Sequence, residues 1–265
     1  MGVPLVLGLF GAFFASLIST PSRSENTLCE RVQCLSIMGS HVQLTASDGH
    51  TFGAYQAEPS TPSVAAVVIV QEIFGVNRHI RAVTDYYATQ GFTAIAPGLF
   101  DRVQPGIQLN YNSADAQRGM QIATQVGLEK ALLDAAAAVQ YAAQTDPPRK
   151  VGVVGFCYGG TLAWLSATRL NPAAAVGYYG GQIARFVNEK PRCPVMLHFG
   201  GKDQHIPASE IQKIQAAHPE VPVFVYPEAG HGFNCDQRPD YKAAAAGLAR
   251  ERTLEFLREK VIGDQ

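Results

Sequence analysis

Apolar runs and helical patterns alternate along most of this chain. Residues 65–70 (AAVVIV) are apolar throughout, which is typical of a strand buried on both faces of a sheet. Similar strands are predicted at residues 92–96, 151–155, 174–179, 195–199 and 221–226. Helices are predicted at residues 78–90, 128–144, 161–169, 208–217 and 241–261. This alternation indicates an α/β protein with a mostly parallel sheet and helices on both faces.

The sheet is expected to begin with an antiparallel hairpin. Residues 41–46 alternate polar and apolar side chains, a turn follows at Ser47-Asp48-Gly49, and residues 52–57 form a second strand. Residues 99–112 have little periodicity and are predicted to form a loop over a site. No linker follows residue 62, so residues 38–265 are expected to form a single domain.

The first 37 residues stand apart from this pattern, because residues 3–18 are almost entirely apolar. That length is short for a membrane span and suits the core of a signal peptide, but the first basic residue, Arg23, follows the run. Alternatively, residues 1–37 are an extension upstream of a true start at Met38. The extension predicts a cytoplasmic protein, whereas the signal peptide predicts export and would allow Cys29 to pair with Cys34.

Composition narrows the classes of function. The chain has 265 residues, 47% apolar and 16% charged, so it is too apolar for a disordered protein and long enough for a large core. It has 21 basic and 22 acidic residues, and this balance offers no field for nucleic acid or an anionic membrane surface. Five cysteines do not make a disulfide scaffold. We expect a monomer that binds a small molecule and has no stable membrane span in its domain.

The strongest chemical signal is the sequence GFCYGG at 155–160. It follows a predicted buried strand and opens a predicted helix, which is the nucleophile-elbow pattern with Cys157 in the place of a serine. A sharp turn exposes the nucleophile, its glycines avoid clashes, and the N-terminus of the helix stabilises a thiolate. The alternative interpretation is a turn of small residues around a buried structural cysteine.

Two later strand ends supply an acid and a base. The strand at 195–199 leads to Asp203, and the strand at 221–226 leads to His231, which has a glycine on each side. Nucleophile, acid and base follow one another in the order found in α/β-hydrolases. Cys157, Asp203 and His231 are therefore predicted to form a catalytic triad, in which Asp203 orients the imidazole.

Other residues compete for these roles. His198 lies inside an apolar strand and is interpreted as a core histidine, and His205 as a residue that lines the loop. Asp101 and Asp115 precede the elbow, which is the wrong order for the acid. No pair of histidines has metal-ligand spacing with a nearby acid on one helix, so no metal site is predicted.

A second acid, Glu72, follows the first buried strand. In this position α/β-hydrolases place an oxyanion-hole amide, and the hole is predicted from the backbone N–H groups of Ile73 and Tyr158. A carboxylate beside the Cys157 thiol would disfavour the thiolate or take its proton, so the charge of the nucleophile would depend on what occupies the pocket. The alternative is a glutamate on a solvated loop rim.

Six stretches of the chain carry a family resemblance, from about Met38 to the final helix. They are QEIFGVN at 71–77, PGLFDR at 97–102, GFCYGG at 155–160, VGYYG at 176–180, HFGGKDQHIP at 198–207 and AGHGF at 229–233. With them the chain resembles the dienelactone hydrolase (carboxymethylenebutenolidase) family of α/β-hydrolases. The resemblance implies that fold, the triad of Cys157, Asp203 and His231, and no cofactor. It also implies that Glu72 keeps Cys157 as a resting thiol and takes its proton once an anionic substrate binds, and that the thiolate then opens a lactone to a thioester.

The same resemblance implies that arginines bind the substrate carboxylate. Arg102, at the end of PGLFDR, matches the first of the family's two carboxylate-binding arginines. A guanidinium suits this role because its planar fork pairs with both carboxylate oxygens. Cys235 occupies the position of the second arginine, four residues after the catalytic histidine, so Arg238 or Arg78 would have to reach in instead. Gly232 also lacks a hydroxyl that a carboxylate could contact.

The sequence therefore predicts a cysteine hydrolase that opens a small, anionic lactone or ester. A broader carboxylesterase or thioesterase is the alternative within the same class. An idle α/β-hydrolase fold used for binding is the alternative from another class, but such a scaffold need not keep Glu72, Cys157, Asp203 and His231.

Overall fold

The apolar runs assemble into a continuous eight-stranded sheet within the described residues. The computed structural model describes Gly2 and residues 39–63, 65–144 and 148–263, so the predictions of a signal peptide, an upstream extension and a Cys29–Cys34 pair lie outside it. The strands are β1 (Ser40–Thr45), β2 (Thr51–Ala57), β3 (Ala65–Val70), β4 (Thr93–Pro97), β5 (Lys150–Phe156), β6 (Ala174–Tyr178), β7 (Val195–Gly200) and β8 (Val223–Tyr226). Their order in the sheet is β1-β2-β4-β3-β5-β6-β7-β8.

Most pairings in this sheet are parallel. Strand β2 pairs antiparallel with both β1 and β4, and every pairing from β4 to β8 is parallel. All residues of β3, β4, β6 and β7 are buried. Because successive side chains of a strand point to opposite faces, both faces of these central strands are covered. The predicted α/β architecture with an antiparallel N-terminal hairpin is therefore confirmed.

Helices connect the parallel strands. They are α1 (Arg78–Thr89), α2 (Ser113–Ala143), α3 (Tyr158–Arg169), α4 (Ala208–Ala217) and α5 (Ala243–Leu257), with 3₁₀ turns at Leu99–Arg102 and Ile183–Phe186. The closing helix is shorter than predicted, because a π-helical turn at Arg258–Ile262 follows α5. Among the described residues, no helix combines the length and the apolar character needed to cross a membrane.

The largest departure from the sequence prediction is helix α2. It begins at Ser113, where Asn112 caps it by accepting a hydrogen bond of 2.8 Å from the Asp115 amide. Its helical geometry is interrupted at Gly127, which has a φ of 72°. The predicted helix at 128–144 is only the part after this break. The first half was missed because most of its side chains are exposed and apolar residues are too few to set a period.

Candidate active site

The residues predicted to carry chemistry follow the carboxyl ends of parallel strands. Glu72 comes after β3, Cys157 after β5, Asp203 after β7 and His231 after β8. Parallel strands present their carboxyl ends at one edge of a sheet, and loops at that edge are the usual place for a binding crevice. The topology thus brings together residues that are far apart in the sequence.

The turn at Cys157 is strained, as the elbow pattern predicts. Cys157 has a φ of 54° and caps the N-terminus of α3, a backbone conformation that residues with a Cβ rarely adopt. Its amide donates a hydrogen bond of 3.0 Å to the Tyr178 carbonyl. A Cβ on Gly155 would overlap the carbonyl of Gly159, so this turn requires glycine. The half-buried thiol therefore lies at the positive end of a helix, beside its first N–H groups.

Cys157, His231 and Asp203 form a chain of contacts. The Sγ atom of Cys157 lies 3.2 Å from Nε2 of His231, and Nδ1 of His231 lies 2.8 Å from Oδ2 of Asp203. The other oxygen of Asp203 accepts hydrogen bonds of 2.8 and 3.2 Å from the amides of His205 and Ile206. Asp203 has no exposed side-chain surface, so its carboxylate is fixed in position.

The contacts between Cys157, His231 and Asp203 shift the pKa values of the histidine and the aspartate. Burial alone would raise the pKa of Asp203, but the hydrogen bond and charge of His231 lower it overall. Burial alone would lower the pKa of His231, yet Cys157 and Asp203 raise it to about 10. The carboxylate of Asp203, and the sulfur of Cys157 once it is ionised, would both stabilise a protonated imidazole.

The two rival histidines have other surroundings. His198 is completely buried, and its ring nitrogens lie 3.0 Å from the hydroxyl of Tyr226 and 3.1 Å from that of Thr253. Burial lowers the pKa of His198 to about 3, which confirms a neutral core histidine. His205 is exposed, and its ring lies edge-on to His231 with centroids 5.0 Å apart.

The rival acids fix loops. Asp101 accepts hydrogen bonds of 2.8 and 2.9 Å from the amides of Gly53 and Gly106. Asp115 accepts one of 2.8 Å from the Asn110 amide at the start of α2. These contacts explain both carboxylates without any part in catalysis.

Glu72 is completely buried and faces an arginine. One carboxylate oxygen lies 3.4 Å from Nη1 of Arg238, and the other has no hydrogen-bond partner among the described residues. The guanidinium also lies over the rings of Phe74 and Tyr111, 6.0 and 5.8 Å from their centroids. Burial would lower the pKa of Arg238, but Glu72 and other nearby anionic groups, Cys157 among them, raise it. The interpretation of Glu72 as a solvated rim residue is therefore wrong.

Gly232 makes room for this arginine. Its φ is 77°, and a Cβ at this position would lie 2.5 Å from Cζ of Arg238. No side chain larger than hydrogen fits here while the guanidinium holds its place. Arg238 therefore approaches Glu72 through space that the residue after His231 leaves empty.

Arg102 has partners other than those expected. Its guanidinium donates two hydrogen bonds of 2.7 Å to Asp134 and two of 2.8 and 3.1 Å to Asp48. Its side chain is 8% exposed, and that of Asp134 is fully buried. Two carboxylates therefore already take up most of the N–H groups with which Arg102 was expected to bind the carboxylate of a substrate.

The two amides of the predicted oxyanion hole have no competing acceptor. Tyr158 is the first residue of α3, and the first N–H groups of a helix have no acceptor within it. Among the described residues, the Ile73 amide makes no hydrogen bond to backbone or side chain. Ile73 directly follows Glu72 in the sequence, and Tyr158 directly follows Cys157.

Tyr179 is a site residue that the sequence pattern did not single out as functional. It is completely buried, has a φ of 39°, and its ring centroid lies 5.2 Å from that of His231. Its hydroxyl has no partner within the described ranges. Burial and the charge of Glu72 raise its pKa well above the usual value, so it stays a neutral wall of the site. Its only signal was the strand-end motif VGYYG.

Known proteins of one family are similar to this chain in sequence. The model of the dienelactone hydrolase family matches residues 52–261. The carboxymethylenebutenolidase of Pseudomonas putida is 37% identical over 223 residues, which are 82% of this chain and 94% of that protein. Carboxymethylenebutenolidase 1 of Cupriavidus pinatubonensis is 34% identical over 224 residues, 82% of this chain and 95% of that protein.

Solved structures share the fold. A Klebsiella pneumoniae protein assigned as a dienelactone hydrolase has a TM-score of 0.69 at 27% identity, over 83% of this chain and 99% of the other. An esterase of Pyrococcus furiosus has a TM-score of 0.63 at 16% identity, over 92% of this chain and 100% of the other. At that identity the esterase supports the fold alone. The predicted α/β-hydrolase fold is confirmed.

Proposed function

Because this chain belongs to the dienelactone hydrolase family and is a hydrolase of esters and lactones, we propose that it opens small carboxylate-bearing lactones or esters through a triad of Cys157, His231 and Asp203. The observation that carries the proposal is the contact of 3.2 Å between Sγ of Cys157 and Nε2 of His231. A thiol this close to an imidazole that a buried carboxylate orients is the arrangement nucleophilic catalysis requires.

The pair of Glu72 and Arg238 controls the nucleophile in this proposal. In the resting enzyme the guanidinium lies 3.4 Å from the carboxylate and stabilises its charge. A substrate carboxylate that binds Arg238 competes for the same cation, so Glu72 becomes a stronger base. Glu72 then takes the proton of Cys157, and the enzyme forms its thiolate when an anionic substrate is bound.

The reaction that follows has two stages. The thiolate attacks the carbonyl carbon, and the amides of Ile73 and Tyr158 donate hydrogen bonds to the developing oxyanion. The carbon–oxygen bond of the lactone then breaks, which leaves a thioester on Cys157 and an enolate or alkoxide on the opened ring. Water attacks the thioester and its proton passes to His231 or to the enolate. The carbon–sulfur bond then breaks, the free acid leaves, and the thiolate of Cys157 takes back the proton that Glu72 holds.

Arg238 receives the substrate carboxylate in place of Arg102. Its single contact with Glu72 leaves donors unused, whereas Asp48 and Asp134 occupy the fork of Arg102. A guanidinium over two aromatic rings is also held flat, which suits paired hydrogen bonds to a carboxylate. An anionic substrate class follows from the unused donors of Arg238.

The decisive experiment replaces the nucleophile. We expect Cys157→Ala to abolish hydrolysis of cis- and trans-dienelactone, while Cys193→Ala, which removes another free thiol, keeps wild-type rates. Mass spectrometry of wild type quenched during turnover should find the acyl group on Cys157. Activity that survives in Cys157→Ala would refute the triad.

A panel of neutral p-nitrophenyl esters separates the proposal from a general esterase. We expect acidic lactones to be turned over with higher kcat/KM than neutral esters of similar size. Good turnover of neutral esters without turnover of dienelactones would favour a broader carboxylesterase or thioesterase.

A further inference from the structure

A second cluster of reactive side chains lies on residues that the proposed reaction does not use. His79 is at the start of α1, and Cys235 and Asp236 lie in the segment between His231 and Arg238. One imidazole nitrogen, the thiol sulfur and one carboxylate oxygen all lie within 4.8 Å of one another. We propose that these three residues bind a zinc ion, in a site separate from the triad.

The donor set is one that zinc prefers. Zinc binds imidazole nitrogen, thiolate sulfur and carboxylate oxygen, whereas magnesium and calcium take oxygen ligands. Ligand atoms of a tetrahedral zinc lie roughly 3.3–3.8 Å apart, given bonds of about 2.0–2.3 Å. Nδ1 of His79 and Oδ1 of Asp236 are already 3.4 Å apart. The side chain of Asp236 is 67% exposed, so it has room to rotate and bring its carboxylate to the ion.

An independent observation concerns the ring nitrogen of His79 that does not face Asp236. The residue is 4% exposed, and its Nε2 atom has no hydrogen-bond partner among the described residues. Water that accepts a hydrogen bond from Nε2 would leave the lone pair of Nδ1 free to bind the ion. Oδ1 of Asn234, which is 5% exposed, likewise lacks a partner in the described part of the chain. Both residues line the same cavity, so its polar walls are unsatisfied by the protein alone.

This cavity borders two of the three proposed ligands, His79 and Asp236, and can supply a fourth. It has a volume of about 200 Å³ and is lined by His79, Asn234 and Asp236, together with Tyr241 and Arg250. That volume holds several water molecules, and one of them can complete a tetrahedral coordination shell. Water also supplies a partner for Asn234.

Two of the three ligands are held by the fold. His79 is the second residue of α1, and the amide of Cys235 donates a hydrogen bond of 2.9 Å to the Gly232 carbonyl. The carbonyl of Cys235 in turn accepts a hydrogen bond of 3.1 Å from the Arg238 amide. A site whose ligands are held in place before binding loses less conformational freedom when the ion arrives.

The test is metal binding to full-length protein in which Cys29, Cys34 and Cys157 are serine, so that other thiols do not compete. Calorimetry with zinc should give one equivalent bound with a micromolar or lower Kd. Cobalt should bind to the same site with a thiolate-to-cobalt charge-transfer absorption. Activity is not the readout, because zinc also binds a catalytic thiol and imidazole.

Matched substitutions on this background identify the ligands. Cys235→Ser should remove the charge-transfer absorption, and His79→Gln and Asp236→Asn should each weaken zinc binding at least tenfold. Cys193→Ser should leave both signals unchanged. Because Asp236 is exposed, its substitution leaves folding intact, which circular dichroism verifies. Absence of stoichiometric binding, or binding unchanged in Cys235→Ser or Asp236→Asn, would overturn the site.

Discussion

Arg102 and Arg238 both have largely buried side chains, and each faces a carboxylate with no exposed surface. Arg102 donates four hydrogen bonds of 2.7–3.1 Å to Asp134 and Asp48. Arg238 has one contact of 3.4 Å with Glu72, and Asp240 lies 3.7 Å away. The first guanidinium thus uses four of its five N–H groups, whereas the second uses one. Free donor capacity, more than burial or charge, distinguishes an arginine that supports the fold from one that can receive an anion.

The largest expected effect is on stability, from Arg102→Met. This change leaves Asp134 buried without its cation, and breaking a buried ion pair on one side costs about 3–5 kcal/mol. Urea unfolding should show that loss in the free energy of unfolding, while KM of the folded enzyme for acidic lactones stays at the wild-type value. A rise in KM for acidic lactones but not for neutral esters would contradict this expectation, and would indicate that Arg102 binds the substrate carboxylate.

The next effect is on catalysis, from Arg238→Met. We expect kcat/KM for acidic lactones to fall roughly 100-fold, as lost charge-assisted hydrogen bonds imply, and kcat/KM for neutral esters to fall far less. Arg238→Lys keeps the charge without the planar fork and should lie between the two. Steady-state kinetics on a matched acid and its methyl ester measure the difference. Equal losses on both substrates would contradict a carboxylate-binding role.

Gly232→Ala should produce a smaller loss of the same kind. A Cβ at this position would lie 2.5 Å from Cζ of Arg238, and the φ of 77° disfavours alanine. We expect a loss of roughly tenfold in kcat/KM for acidic lactones through displacement of the guanidinium, and a stability cost of about 1 kcal/mol. In the double variant with Arg238→Met the activity losses should not add. Additive losses would mean that the two residues act independently.

The smallest effect is on acid stability. Hydrogen bonds from Arg102 lower the pKa of Asp48 from 3.8 to about 2. A carboxyl group with a depressed pKa stabilises the folded state above its unfolded pKa, and that contribution disappears as the pH falls from 3.8 through about 2. Acid unfolding of Asp48→Asn should therefore lose less stability across this interval than wild type does. If the free energy of unfolding of Asp48→Asn and of wild type fell in parallel with pH, the ion pair of Asp48 and Arg102 would make no pH-dependent contribution to stability.

Local patterns predicted the central elements of the fold. The bounds of β3 and α4 agree with the sequence prediction, because an apolar run and a well-delimited helix both carry their signal locally. The first half of α2 carried a weaker signal, since most of its side chains are exposed and its buried stripe is short, at Gly119, Ile122, Ala123 and Val126. The 3₁₀ turn Leu99–Arg102 lay inside a predicted loop because four residues are too few to show a helical period.

The site divides in the same way. The proximity of Cys157, Asp203 and His231 could be predicted because each lies within five residues of the end of a parallel strand, so sequence position specifies location. The ion pairs of Arg102 could not be predicted, because its partners Asp48 and Asp134 lie in distant segments that no motif links to it. The sequence left both Arg238 and Arg78 as candidates for the second carboxylate-binding arginine. The family places that arginine four residues after the catalytic histidine, where this chain has Cys235, and Arg238 lies three residues further on.

The two halves of α2, on either side of the break at Gly127, contact different parts of the molecule. Asp134, the partner of Arg102, belongs to the half after the break, and Gly119, against the Ile73 carbonyl, belongs to the half before it. Protein engineers can therefore randomise the exposed positions of residues 113–126, in the half of α2 that borders the loop after β3. The ion pair that secures the scaffold lies beyond the glycine joint and stays untouched in such a library.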